Sequence, residues 1–72
     1  MIMILPTGHI LNFNIGQIVF LKTDINQDER LVIKIQLMPN KGVMYMLSLG
    51  ETSEWFYDIE ISEDKDQIKK LT

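Results

Sequence analysis

The sequence predicts an all-β protein, a small barrel of about five short strands with an N-terminal β extension and an acidic tail. Three observations carry this expectation. Eleven Ile, three Val, four Thr and six aromatic residues stand beside no Ala at all, a mixture that suits pleated, half-buried surfaces better than helices. Residues 30–38 alternate with the period of two expected of a strand: Leu31, Ile33, Ile35 and Leu37 interleave with Arg30, Val32, Lys34, Gln36 and Met38. A length of 72 residues holds one domain, and its turn-forming stretches leave room only for short elements.

Two short extended runs, residues 2–5 and 10–13, flank the turn Pro6-Thr7-Gly8 and can form a hairpin or lie along a sheet edge. Gly16 introduces a strand over residues 17–22, and a polar loop over 23–29 leads to the long strand 30–38. Pro39-Asn40-Lys41-Gly42 then reads as a hairpin turn, with Asn40-Lys41 in a type I turn and Gly42 in the left-handed position of a bulge. In the strand 43–49, Val43, Tyr45, Leu47 and Leu49 share one face, with Met44, Met46 and Ser48 on the other. After the turn stretch 50–54, residues 55–61 alternate Trp55, Tyr57, Ile59 and Ile61 with Phe56, Asp58 and Glu60, so the carboxylates mark the wet face. Ser62, followed by Glu63, Asp64 and Asp66, can cap a short C-terminal helix or begin an acidic tail. The expected organisation is a single domain: extension 1–12, barrel 13–61, and tail or helix 62–72.

Phe13-Asn14-Ile15-Gly16-Gln17-Ile18-Val19-Phe20 resembles the F-x-x-G-D-x-V opening strand of SH3-like modules of the Tudor and KOW kind. Tyr45-Met46-Leu47 and Trp55-Phe56-Tyr57-Asp58-Ile59-Glu60-Ile61 resemble the strands that close such modules. Residues 16–65, about two thirds of the chain, also look like small uncharacterised proteins of bacterial phages and mobile elements. Gln17 stands where those carry Asp, and the apolar leader 1–12 is extra. The resemblance implies an SH3-like barrel; its motifs determine fold and say little of activity.

Charge is unevenly placed: residues 1–21 carry none, residues 22–50 carry four basic and three acidic groups, and residues 51–72 carry three basic and seven acidic groups. The leader lacks the basic start and the length of a signal peptide, and no run approaches a membrane span, so a cytoplasmic protein with no membrane association is expected. With no Cys and one His, the usual zinc ligand sets are excluded, and no cofactor is implied. Asp24-Ile25-Asn26-Gln27-Asp28 begins like a calcium loop, but Glu29 and Ile35 stand where Gly and Glu are needed, so it reads as a polar loop. His9 lies beside a turn with no marked nucleophile, and the acidic cluster 51–66 reads as a solvated face. Neither constellation implies an enzyme or a small-molecule substrate.

Two surfaces remain. Met44, Met46 and Val32 form an apolar patch on the face a barrel should present to water; with Ile2, Ile4 and Phe56 they make the candidate surface for a protein partner or a second copy of the chain. Phe20, Tyr45, Trp55 and Tyr57 form a candidate aromatic cluster, which in the Tudor manner could act as a cage. The alternative is nucleic-acid binding through Lys22, Arg30, Lys34 and Lys41, against which the acidic last third argues.

Overall fold

The computed structural model describes residues 2–65. Seven strands form in order: β1 (Met3–Ile4), β2 (Ile10–Leu11), β3 (Ile18–Leu21), β4 (Arg30–Leu37), β5 (Val43–Leu49), β6 (Thr52–Tyr57) and β7 (Ile61–Ser62), with a 3-10 turn at Asp58–Glu60. The protein is therefore all-β across the described residues. Strands β1 and β2 make a separate hairpin, and the other five form one antiparallel sheet in the order β6-β5-β4-β3-β7.

Two hairpin turns share one design. In the first, Leu5 N–H donates to His9 O (2.8 Å) and Gly8 N–H to Leu5 O (2.9 Å); in the second, Met38 N–H donates to Gly42 O (2.8 Å) and Lys41 N–H to Met38 O (3.1 Å). Pro6 and Pro39 occupy equivalent places, where their fixed φ suits the turn and no N–H is needed. The left-handed residue that follows is Gly8 in one and Lys41, φ 71°, in the other. The expectation for Gly42 is thus corrected: Pro39 starts the turn one residue earlier, so the bulge position falls on Lys41. Strands β5 and β6 join through Gly50-Glu51 alone, with Gly50 at φ 61°, the first-position glycine of a type II′ turn.

The sheet curls but is not closed into a barrel. Four gaps of about 4.8 Å would set the edges of a flat five-stranded sheet about 19 Å apart. The 3-10 turn that carries the chain from one edge strand to the other rises only about 2 Å per residue over three residues. Curling is helped by a bulge in β4, where Val32 faces Leu47 and Lys34 faces Met46, leaving Ile33 as the extra residue. Closure stops because the Glu60 carboxylate accepts the Tyr57 N–H (3.2 Å) at the edge where a closing ladder would form, and β7 has only two residues.

The bulge decides what is inside. Before it, Arg30 and Val32 face the concave side; after it, Ile35 and Leu37 do, opposite Tyr45 and Val43. The core gathers Leu11, Phe13, Val19, Leu21, Val32, Val43, Tyr45, Leu47 and Ile61, with Leu5, Ile35 and Phe56 packed against it. Phe13 meets the Tyr45 ring edge-on at 5.3 Å. The leader therefore packs on its own chain's concave side, while Ile2, Ile4 and Ile10 point outward and are exposed. The strand expected over 55–61 gives way to the 3-10 turn, which leaves Ile59 exposed. Ser62 lies in β7 rather than capping a helix, and the rest of the expected helix, 66–72, lies outside the described residues.

Candidate interaction surface

The convex face of the sheet is built by cross-strand rows. Ile18 faces Leu31, which faces Ser48 and then Ser53; Lys34 faces Met46 and then Trp55; Gln36 faces Met44 and then Tyr57. Such directly opposed side chains stand about 5 Å apart, so each row is a continuous strip. Met44 and Met46 are half-buried by these neighbours, whereas Trp55, Tyr57, Ile18 and Leu31 are exposed. This is apolar and aromatic surface on a face that no described element covers.

Several expectations are corrected by the bulge and the β6 register. Val32 is wholly buried and does not join Met44 and Met46; Leu31 takes its place on the convex face. Phe56 faces inward opposite Tyr45, and Trp55 and Tyr57 face outward, so Phe56 does not join the candidate surface. Ile2 and Ile4 are exposed on the β1–β2 hairpin, away from the convex rows because that hairpin packs on the concave core. The aromatic cluster does not assemble. Tyr45 sits in the core, Phe20 is buried with Lys65 Nζ 5.8 Å from its ring centre, and only Trp55 and Tyr57 share the open face. Ile18 and Leu31 are surface residues that the alternation did not reveal, since every residue of β3 is apolar and the bulge reverses β4.

The four cations do not gather. Arg30 turns inward, its guanidinium 3.5 Å from the Asp24 carboxylate and 5.8 Å from the Phe56 ring centre. Its Nε is buried without a hydrogen-bond partner among the described residues. Lys34 stands on the opposite face, and Lys41 Nζ donates to the Thr7 carbonyl oxygen. Lys22 follows β3, its N–H bound to Glu60 O.

His9 is buried and fully engaged. Nε2 lies 2.6 Å from Met38 O and Nδ1 lies 2.6 Å from Thr7 Oγ1. A carbonyl only accepts, so Nε2 carries the hydrogen and Nδ1 faces the Thr7 hydroxyl. With the Lys41 bond, this ties the tips of the two hairpins together.

The 23–29 loop folds around Asp24. Its carboxylate accepts N–H bonds from Asn26 (3.1 Å) and Asp28 (3.2 Å). Partial burial opposes ionisation, but these donors and Arg30 outweigh it and hold the carboxyl below its usual range. Gln27, in the left-handed region at φ 52°, donates its amide to Leu21 O (3.0 Å) and Asp24 O (2.5 Å). Asp24 and Gln27 are thus spent on neighbouring backbone groups and Arg30, and no cluster suited to a metal ion occurs among the described residues. Tyr45, desolvated in the core, has its hydroxyl pushed up in pKa, while that oxygen accepts the Asn12 N–H at 3.1 Å.

No helix among the described residues is long and apolar enough to cross a membrane. Comparison with family models, curated proteins and solved structures finds no match to this chain.

Proposed function

We propose that this chain is a non-catalytic protein-interaction and self-association module that meets its partner through the convex face of the sheet. The observation that carries the reading is the uncovered strip of Trp55, Tyr57, Met44, Met46, Leu31 and Ile18. Tryptophan and tyrosine supply large contact area at little entropic cost, and methionine adapts to irregular surfaces. The engagement of both His9 nitrogens supports a structural role for the only imidazole. The dispersal of Lys22, Arg30, Lys34 and Lys41 favours a protein partner over nucleic acid. The SH3-like resemblance, and with it kinship to small phage and mobile-element proteins, is part of this proposal and rests on the sequence motifs alone.

The test is a concentration series of the isotope-labelled chain, followed by its amide resonances. Leu31, Lys34, Met44, Met46 and Trp55 should shift together from micromolar to millimolar protein. A series in which no resonance moves, or only those of residues 2–10 move, overturns the reading.

A further inference from the structure

Strand β6 is the long open edge of the sheet, and its hydrogen-bonding direction can be read residue by residue. In an antiparallel strand, N–H and C=O of one residue point the same way and alternate along the chain. The Tyr57 N–H is held by the Glu60 carboxylate, away from β5. By alternation Trp55 and Ser53 also turn their backbone groups outward, while Phe56, Glu54 and Thr52 bond to β5. The edge carries no proline or lysine, and its one charge, Glu54, belongs to the inward-facing set. Proline and lysine are among the devices that blunt edges, and the inward-pointing Glu54 is the one such device on β6, which any pairing has to accommodate.

We propose that a second copy of the chain pairs with this edge, β6 against β6 in antiparallel fashion, with Trp55 on the two-fold axis. This rests on the interaction reading above and names its partner. Charge selects the register. Centring the axis on Glu54 would set two carboxylates directly opposite each other, which is unfavourable. Centring it on Phe56 would set each Glu54 opposite the partner's Asp58, again two carboxylates, and centring it on Ser53 shortens the overlap. With Trp55 at the axis, Glu54 faces the partner's Phe56 and Ser53 faces the partner's Tyr57, so no two acids meet across the ladder. The Phe56 ring lies beside the Arg30 guanidinium, so each Glu54 approaches a cation of the other copy.

The ladder makes four of its six backbone bonds, since the Tyr57 N–H that would reach the partner's Ser53 carbonyl stays with Glu60. Each Trp55 exchanges N–H and C=O with its symmetry mate, and each Ser53 N–H reaches the partner's Tyr57 carbonyl, without disturbing Glu60. On the convex face the two Trp55 rings come together, and the strips containing Met46 and Met44 run on into those of the other copy. The contact is isologous, so it closes at two copies.

The experiment is sedimentation of the full chain from micromolar to millimolar concentration, with three variants. Ser53→Pro removes one outward N–H and leaves the β5 ladder intact, a place where an edge strand tolerates proline. It should weaken dimerisation about tenfold or more, as two lost bonds per dimer imply. Glu54→Arg, which would face Arg30, should weaken it as well. Leu31→Lys, on the convex strip but outside the β6 ladder, separates the edge contact from the convex-face contact. A chain that stays monomeric at millimolar concentration, or a Ser53→Pro variant that dimerises like the parent, overturns the proposal. Loss of association in Leu31→Lys with retention in Ser53→Pro also overturns it, while leaving the convex-face reading intact. Should Ser53→Pro fail to fold, hydrogen exchange at the Trp55 amide of the parent chain decides. Exchange that slows with protein concentration supports the pairing, and concentration-independent exchange refutes it.

Discussion

The bulge at Ile33 puts Val32 and Leu31 on opposite sides of the sheet from those a regular strand would give, and paired truncations measure this directly. Val32 is 0% exposed among core residues, whereas Leu31 is 37% exposed on the convex face. Val32→Ala removes two carbons from the core, about 1.6 kcal/mol at about 0.8 kcal/mol each. A residual cavity of about 40 Å³, at about 24 cal/mol per Å³, adds about 1 kcal/mol, for a total of about 2–3 kcal/mol. Leu31→Ala removes more carbon but from a half-wet site whose neighbours can relax, and should cost about 1 kcal/mol. For a domain this small the urea slope is about 1 kcal/mol per molar, so the midpoints should fall by about 2–3 M and about 1 M respectively. The assay is urea unfolding followed by circular dichroism. If Leu31→Ala costs as much as Val32→Ala, or more, the strand is regular and the face assignments for β4 and everything paired to it are wrong.

Other substitutions test the remaining ties. His9→Ala removes a buried ring together with both its hydrogen bonds, which should cost about 2–3 kcal/mol in the same assay; a cost under about 0.5 kcal/mol would mean the hairpin tips are not joined. Tyr45→Phe keeps the ring on Phe13 but leaves the Asn12 N–H without its acceptor, so thermal unfolding should show a loss of about 1–2 kcal/mol; an unchanged midpoint contradicts that bond. Asp24 has a folded pKa below its unfolded value, so its contribution is fully present above about pH 4 and is lost as pH falls through the folded value. Stability measured from pH 6 down to 2 should therefore drop less steeply in Asp24→Asn than in the parent chain, and parallel curves would refute the loop's electrostatics.

The fold class, the strand order from β3 to β6 and both proline-containing turns were legible because each rests on a local signal: an alternation, a turn residue, a break in polarity. What escaped was the consequence of one extra residue. Ile33 lies in a run of apolar and β-branched side chains, so neither chemistry nor spacing betrays the bulge, yet a one-residue slip exchanges the two faces of a strand. Val32 is expected outward for that reason, whereas the sequence leaves open whether Phe56 or the Trp55 and Tyr57 pair faces water, because Asp58 and Glu60 belong to the 3-10 turn and not to β6. Met44 and Met46 were placed correctly because β5 alternates without interruption. The 3-10 turn was hidden by an Asp-Ile-Glu pattern that alternates as a strand does, although Ile59 is exposed.

Trp55 lies both on the convex strip and at the open edge, and it is the only tryptophan in the chain, so its fluorescence reports the proposed contact without labels. The most direct test is acrylamide quenching of that fluorescence as the protein is concentrated from micromolar to millimolar. If two copies meet through β6 and the convex face, the quenching constant should fall by about half or more, because a ring on the axis is removed from water. A quenching constant that stays the same at every concentration would contradict the account.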